Sequence, residues 1–215
     1  MNYQIFTDAT ADLEEGMLSG LPHIEIISMD IEVDGELFTY GPQGTLSVKE
    51  FYEMQRNDKF ATTSQITPER FKCAFEPYLE QEKDILYLGF SSGMSGTMNS
   101  ANIAKLELEE YYPDRKILCI DTLCASVGEG FLVMEAARKQ ALKIKLQHME
   151  EGWNPALGKL VIIGHGDDTE AAQKLKEEVA SKFPEAEIFV TNIGPVIGSH
   201  TGPGMIALIY WGTNR

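Results

Sequence analysis

An alternation of apolar strands with helices through the later part of the chain constrains the fold most. The segments DILYLGFSS, KILCIDT, KLVIIGHGDD and AEIFVTNIG are typical of buried strands, and the stretches between them predict helices of ordinary length. MIALIYWG predicts a closing strand. This order implies right-handed crossovers and a mostly parallel sheet. Ligands of such sheets bind beyond the carboxyl ends of the strands, so site residues are sought in the loops that follow strands.

The first eighty residues predict shorter elements. YQIFTDA indicates a strand, TADLEEGML a short helix, and the alternation in IEIISMDIEV a further single strand. The Asp34-Gly35 pair predicts a hairpin turn into ELFTY. Two helices are expected after Ser47, which forms a capping box with Glu50, and after Thr67.

Charge and composition exclude several kinds of partner. The net charge of −15 argues against nucleic acid, because phosphate neutralisation needs clustered basic residues, and against anionic membranes. No apolar run approaches the roughly 20 residues that span a bilayer, and MNYQIFTDATADL has no signal-peptide pattern. We therefore expect a cytoplasmic protein without stable membrane insertion. The three cysteines are expected to be reduced, and no histidine spacing predicts a metal site.

Three polar loops that follow or flank strands are candidates for the functional site: 62–65, 91–97 and 194–204, of which the last two contain glycine. The second loop joins a strand that ends at Phe90 to a helix that begins near Ser95 or Thr97. The first N–H groups of a helix lack intrahelical partners and favour an anion. Hydroxyls of Ser92, Ser95 and Thr97 add neutral donors. Ordinary N-capping by serine would give the same pattern.

The third loop encloses His200 among four glycines and two prolines. A loop this constrained fixes either a functional side chain or a backbone path, and a structural histidine bonded to the backbone is equally compatible. Asp8 and Thr10 in FTDAT resemble half of a phosphatase motif, but the second aspartate is missing. A small hydrolase or phosphotransferase that uses Asp8 and the Ser95 loop is the enzymatic alternative, and a hydrogen-bonding aspartate at a strand end is the simpler one.

Six stretches in order resemble the DegV family, which includes the FakB fatty-acid-binding subunits of bacterial fatty acid kinase. They are FTDATADL, TTSQITPERF, SSGMSGTMNSA, IDTLCASVGEG, VIIGHGDD and IGPVIGSHTGPG. The resemblance implies two α/β lobes with mostly parallel sheets and an acyl chain held between them. It also implies that a threonine of the TSQ loop and a serine of the SGT loop bind the fatty-acid carboxylate, here Thr63 and Ser95, and that His200 is the family's HTGPG histidine. We extend the expected fatty-acid site to Ser64, Ser92, Gly96, Thr97 and His200.

The resemblance further implies a function without catalysis of its own. The chain would bind a long-chain fatty acid and present its carboxyl group to the catalytic subunit of a fatty acid kinase, which brings ATP. No cofactor, metal or catalytic residue is expected. Each buried methylene contributes about 0.8 kcal/mol, so the tail would supply most of the affinity.

One departure from the family concerns length, because its members are usually several tens of residues longer. AARKQ resembles the end of the first lobe and ALKIKLQHMEEGWNP a helix well inside the second, which predicts lobes at 1–139 and 140–215, the second lacking its first strands and an arginine near the head group. We expect either a chain that is discontinuous near Lys139 to Ala141, or a short chain that dimerises or binds lipid weakly. KLVIIGHGDD is expected to form an open apolar edge. A truncated variant that binds no lipid is the third alternative.

Overall fold

The computed structural model describes residues 2–213, and of positions 196 and 198 the backbone alone. Within this range the strands are β1 (Tyr3–Asp8), β2 (Ile24–Ile27), β3 (Met29–Val33), β4 (Glu36–Tyr40), β5 (Ala61–Thr63), β6 (Asp84–Gly89), β7 (Ile117–Asp121), β8 (Leu160–His165), β9 (Glu187–Asn192) and β10 (Ile206–Tyr210). The helices are α1 (Val48–Arg56), α2 (Pro68–Glu80), α3 (Thr97–Tyr111), α4 (Val127–Gly152), α5 (Thr169–Lys182) and α6 (Pro195–Thr201). This is the mixed α/β fold that the sequence predicts.

Contacts divide the chain into two compact units. Unit 1 comprises Met1–Glu14 and His23–Ala136, and unit 2 comprises Glu15–Pro22 and Ala137–Arg215. The division falls inside α4, as does the lobe boundary predicted between residues 139 and 140. None of the helices in residues 2–213 is both long and apolar enough to cross a membrane.

Unit 1 is built on a parallel sheet in the order β2-β1-β6-β7. Its core packs aromatic side chains of α2 against the sheet, and Phe71, Phe75 and Tyr87 are fully buried. The caps predicted at Ser47 and Thr67 are present, and Ser47 with Glu50 forms the complete capping box. These caps satisfy N–H groups that the first helical turn leaves without partners.

A second, antiparallel sheet in the order β4-β3-β5 corrects two predictions for unit 1. The segment predicted as one strand, IEIISMDIEV, forms β2 and β3 in different sheets. The adjacent Ile26 and Ile27 break the period of two, and the chain leaves the first sheet at Ser28. The strand β5 was not predicted, because three residues are too few to show a period. The helix predicted in TADLEEGML is instead two short 3-10 turns, Ala9–Ala11 and Glu15–Leu18.

Unit 2 contains a three-stranded sheet in the order β10-β8-β9. The prediction that KLVIIGHGDD would form an open edge is wrong: β8 lies between parallel β9 and antiparallel β10. The closing strand turns back beside β8 and thereby supplies the neighbour that a parallel arrangement would lack. One face of β8 buries Val161 and Ile163 against α5.

Two further predictions are corrected in this half of the chain. Residues 194–204 are not loop throughout, because α6 occupies Pro195–Thr201. Proline suits the first position of a helix, and Gly202 at φ 74° follows its end. The break at Lys139–Ala141, which was one of two expected alternatives, is absent from the described backbone: α4 is continuous for 26 residues. Residues 138–140 are good helix formers, and the helix has no proline inside it.

Candidate functional site

A cavity of about 360 Å³ in unit 1 brings together residues from two of the three candidate segments, 62–65 and 91–97. We call it the β5–α3 cavity, after the elements that carry its hydroxyl groups. Its polar lining residues are Thr10, Asp12, Tyr40, Thr63, Ser95 and Thr97. Its apolar lining residues are Ala9, Met29, Ile31, Phe90 and Met94. The cavity therefore combines neutral hydrogen-bond donors and the carboxyl group of Asp12 with an apolar wall.

The strand β5 carries Thr63 to this cavity. β5 pairs with β3, and Thr63 lies opposite Ile31, another lining residue. Residues directly opposite each other in an antiparallel pair point to the same face of the sheet. The register thus places a hydroxyl beside an apolar side chain. The following residue, Ser64, is exposed, does not line the cavity, and donates its backbone N–H to Asp30 O over 3.3 Å.

Ser95 and Thr97 lie at the N-terminus of α3. The Thr97 N–H donates to Ser95 Oγ over 3.2 Å, and the two hydroxyl oxygens are 3.0 Å apart. One hydroxyl proton is used between the two side chains, so the other remains for an acceptor in the cavity. The helix cap itself, Gly96, makes no side-chain hydrogen bond. This end of α3 therefore retains hydrogen-bonding capacity that an anion can use.

Ser92 is not part of the cavity lining. Its hydroxyl donates to the carboxylate of Asp121 at the end of β7, and its N–H lies 3.3 Å from both carboxylate oxygens. The Ser92 hydroxyl and the Leu123 N–H lower the pKa of Asp121. Ser92 therefore connects the loop after β6 to the end of β7.

His200 belongs to unit 2, in the last turn of α6, with an exposed side chain.

Asp8 occupies a buried site beneath the cavity wall. Its Oδ1 accepts the N–H of Thr10 over 3.0 Å and also bonds to the Thr10 hydroxyl. Its Oδ2 accepts the hydroxyl of Tyr87 over 2.6 Å. Burial, followed by the charge of Asp8, raises the pKa of Tyr87 well above its usual value. These contacts match the hydrogen-bonding interpretation of Asp8 better than a nucleophilic one.

Glu129 is the residue of this region that the sequence did not single out. It is fully buried, and its carboxyl oxygens contact the hydroxyls of Thr7 and Thr10 at 3.0 and 2.9 Å. Burial and then the negative charge of Asp8 raise its pKa to about 8, against the lowering effect of the two threonines. Gly130 allows the close approach, because a Cβ there would lie 2.4 Å from Ala11 O. The sequence feature that could have indicated Glu129 is the triplet Gly128-Glu129-Gly130 at the start of α4.

A second cavity of about 390 Å³ in unit 1 shares three lining residues with the first: Asp12, Ile31 and Tyr40. Asp12 accepts hydrogen bonds from the hydroxyls of Tyr40 and Ser126 over 3.2 and 2.7 Å. The remaining lining residues are mostly apolar: Leu13, Glu14, Leu46, Val48, Phe51, Tyr52 and Val127. We call it the α1 cavity.

No metal site is present in residues 2–213, in the sense that no three His, Cys, Asp or Glu side chains are grouped to hold an ion. The cysteines are free thiols. Burial raises the pKa of Cys119 to about 11, so this thiol is protonated at neutral pH.

Solved structures of similar fold include two whose ligands are known. A fatty-acid-binding DegV family protein from Thermus thermophilus is 21% identical, with a TM-score of 0.54 over 97% of this chain and 98% of that one. A stearic acid-binding protein from Eubacterium ventriosum is 20% identical, with a TM-score of 0.54 over 96% and 97% of the two chains. At this level of identity the likeness concerns the fold.

Curated relatives extend the comparison to sequence. The DegV domain-containing protein CPE0026 of Clostridium perfringens is 29% identical over 287 aligned positions, which cover 99% of this chain and 98% of the relative. The DegV domain-containing protein YteA of Lactococcus lactis is 39% identical over 140 positions, covering 64% and 47% of the two chains. Because this chain has 215 residues, at least 72 of the 287 positions aligned with CPE0026 face no residue of it.

A family-wide sequence profile, described as an uncharacterised protein of the DegV family, matches residues 2–151 and again 138–212. The two matches overlap at 138–151, within α4. Together they extend over nearly the whole sequence. The chain belongs to the DegV family.

Proposed function

We propose that this protein binds a long-chain fatty acid and holds its carboxylate at the hydroxyls of Thr63 and Ser95. The observation that carries the proposal is the β5–α3 cavity, in which Thr63, Ser95 and Thr97 face an apolar wall. A fatty acid has the matching chemistry of one anion on a long apolar chain. The fatty-acid-binding relatives of similar fold support the same ligand class.

The head group needs donors that offset its desolvation. A carboxylate that leaves water without hydrogen bonds costs several kcal/mol, whereas each charge-assisted hydrogen bond contributes about 1.5–3 kcal/mol. The free hydroxyl proton of the Ser95–Thr97 pair, the Thr63 hydroxyl and the N-terminus of α3 can supply such bonds. Neutral donors suffice here because the helix dipole favours negative charge at this end.

The tail requires apolar surface beyond the head group. Met29, Ile31 and Met94 line the β5–α3 cavity, and the α1 cavity continues past Ile31 to Leu46 and Phe51. We propose that the first methylenes follow this wall. The resemblance to the family implies a chain of about 14 to 18 carbon atoms, in which each buried methylene contributes about 0.8 kcal/mol.

We further propose that the protein is a cytoplasmic carrier that presents the carboxyl group to the catalytic subunit of a fatty acid kinase. A carrier needs a site that binds but does not activate a nucleophile. Within residues 2–213, the hydrogen-bond partner of Ser95 Oγ is Thr97, which is not a base. The alternative enzyme that uses Asp8 has less support, because Asp8 is buried and its oxygens are bonded to Tyr87 and Thr10.

The direct test is mass spectrometry of lipid extracted from the purified protein, followed by calorimetric titration of the delipidated protein with myristate. We expect a stoichiometric fatty acid in the extract and saturable binding in the titration. A protein that carries no fatty acid and binds no myristate would be the truncated, non-binding variant, and the proposal would be wrong. Hydrolysis of ATP or an ester by the protein alone would favour the enzyme instead.

A further inference from the structure

Three oxygen-bearing side chains form a continuous chain behind the β5–α3 cavity. Glu129 Oε2 lies 2.9 Å from Thr10 Oγ1, and the same Thr10 oxygen is hydrogen-bonded to Asp8 Oδ1. At the outer ends, Thr7 Oγ1 lies 3.0 Å from Glu129 Oε1, and the Tyr87 hydroxyl donates to Asp8 Oδ2 over 2.6 Å. Two carboxyl groups thus share one hydroxyl between them.

The number of protons decides the ionisation of this chain. A threonine hydroxyl carries one hydrogen and can donate it to one acceptor. If both carboxyl groups were ionised, Thr10 could donate its hydrogen to only one of them. Its contact with the other carboxylate oxygen would then have no hydrogen between the two oxygen atoms. One additional proton removes the conflict: a protonated Glu129 donates to Thr10 Oγ1, and Thr10 donates onward to Asp8.

The proton belongs on Glu129 and not on Asp8. Asp8 accepts hydrogen bonds from the Tyr87 hydroxyl and the Thr10 N–H in addition to the Thr10 hydroxyl, so each of its close contacts already contains the proton of a donor. Glu129 is fully buried and close to the Asp8 charge, and both effects favour its neutral form. The titratable groups that face Glu129 are Asp8 from β1, Tyr87 from β6 and Asp12 after the first turn, all of them acids.

This chain of hydrogen-bonded side chains reaches the β5–α3 cavity through Thr10, its middle member. Thr10 and Asp12 line the β5–α3 cavity together with Thr63 and Ser95. Ionisation of Glu129 would remove its hydrogen bond to Thr10 and add a negative charge behind the wall that faces the proposed carboxylate. We propose that Glu129 is a positioning residue that carries its proton in the folded protein, and that loss of this proton weakens anion binding in the β5–α3 cavity at alkaline pH.

The binding test rests on the proposed function and compares the wild type with Glu129→Gln from pH 6.5 to 9.5. Glutamine keeps the shape, an acceptor for Thr7 and a donor for Thr10, but cannot ionise. With a pKa of about 8, the myristate affinity of the wild type should fall about tenfold between pH 7 and pH 9. The affinity of E129Q should change less than threefold, and it also corrects for the pH dependence of the ligand. Parallel pH profiles would overturn the proposal.

A second test needs no ligand and so separates this proposal from the proposed function. The infrared spectrum of the ligand-free protein at pH 7 should contain the carbonyl band of a buried, protonated carboxyl group, which E129Q should lack. In the wild type this band should disappear as the pH rises, and in Asp8→Asn it should disappear at lower pH because one repelling charge is gone. A wild type without the band at pH 7 would overturn the assignment, whether or not any variant binds myristate. The titration of the wild type alone would decide it if E129Q did not fold.

Discussion

The side-chain amide of Gln65 lies directly against Gly96, so close that a Cβ atom at position 96 would be 2.5 Å from Gln65 Oε1. This contact joins the loop after β5 to the cap of α3. Thr63 ends β5 immediately before the first of these segments, and Ser95 precedes the cap in the second; both line one cavity. Glycine at position 96 therefore sets the approach of the two hydroxyl-bearing segments.

The first prediction follows from that contact. Gly96→Ala should displace the end of the Gln65 side chain from its place between the two segments and lower myristate affinity severalfold while the fold is kept. Gly93→Ala in the same loop is the matched control, because its Cβ would meet nothing closer than Ser91 Oγ at 3.5 Å. Calorimetric titration measures both variants. Equal affinities of the two variants would mean that the contact does not set the site.

The second prediction concerns the proposed carboxylate ligands. Replacing Thr63 and Ser95 together with alanine removes roughly two charge-assisted hydrogen bonds of about 1.5–3 kcal/mol each, so affinity should fall at least tenfold. Thr62→Ala is the control, because Thr62 is also exposed on β5 but is absent from the cavity lining. Unchanged lipid affinity in the double variant would remove Thr63 and Ser95 from the site.

The third prediction is a pH dependence of stability. The pKa of Glu129 is raised from 4.5 to about 8 in the folded protein, so the unfolded state loses this proton first as the pH rises. The contribution of Glu129 to the free energy of unfolding is then fully present below about pH 4.5 and is lost on approach to pH 8. Between pH 5 and 7.5, the wild type should lose about 3 kcal/mol relative to Glu129→Gln. Urea unfolding at the two pH values measures this. A constant difference between the proteins would contradict it.

The sequence could predict the parts of the fold that have local signals. The Ser47 and Thr67 caps, the Asp34-Gly35 turn and the strand-helix alternation depend on neighbouring residues, and the structure contains all of them. The loops of Thr63 and Ser95 were found because hydroxyls and glycines cluster beside strand ends. Their roles as fatty-acid ligands remain predictions.

The missed features depend on long-range contacts. β5 is a strand because it pairs with β3, and β8 has a second neighbour because β10 pairs with it in the antiparallel direction. Glu129 is 122 residues from Thr7 in the sequence, and no local pattern indicates that α4 presents it to β1. The continuity of α4 could not be decided from an apolar stripe that changes at residues 138–140, whereas buried Val133, Ala137, Leu146 and Met149 lie along one helix.

The fourth prediction separates binding from phosphoryl transfer. His200 lies in the last turn of α6 with an exposed side chain, and its segment follows the end of β9, where ligands of such sheets bind, so we predict that it acts on the head group. His200→Ala should leave myristate affinity within about twofold but lower the rate of acyl phosphate formation with the kinase catalytic subunit, because an exposed histidine can act on a transferred group without packing against the ligand. His148→Ala, also exposed, is the control. Equal loss of binding and phosphorylation would indicate a structural role.

The last prediction concerns the sheet of unit 2. Phe189, Ile162 and Ile209 lie opposite one another across β9, β8 and β10, so they share one face. Phe189 and Ile209 are 61% and 60% exposed, whereas the opposite face buries Val161 and Ile163. The relative CPE0026 has at least 72 aligned positions that face no residue of this chain, and we propose that part of the second lobe is missing here. An exposed apolar row of this kind is typically covered, and a second copy of the chain is the simplest cover.

We therefore expect a dimer by light scattering, or, in a monomer, an affinity for lipid weakened by the methylenes left uncovered. Four uncovered methylenes at about 0.8 kcal/mol each would weaken binding by roughly two orders of magnitude. Replacing Phe189 and Ile209 with lysine should give a monomer, because two charges cannot be buried unpaired in the interface. Leu37→Lys, at a site 70% exposed in unit 1, should leave the dimer intact. A monomeric wild type that binds myristate as tightly as its longer relatives would contradict both outcomes, since neither the exposed face nor the missing segment would then have a consequence.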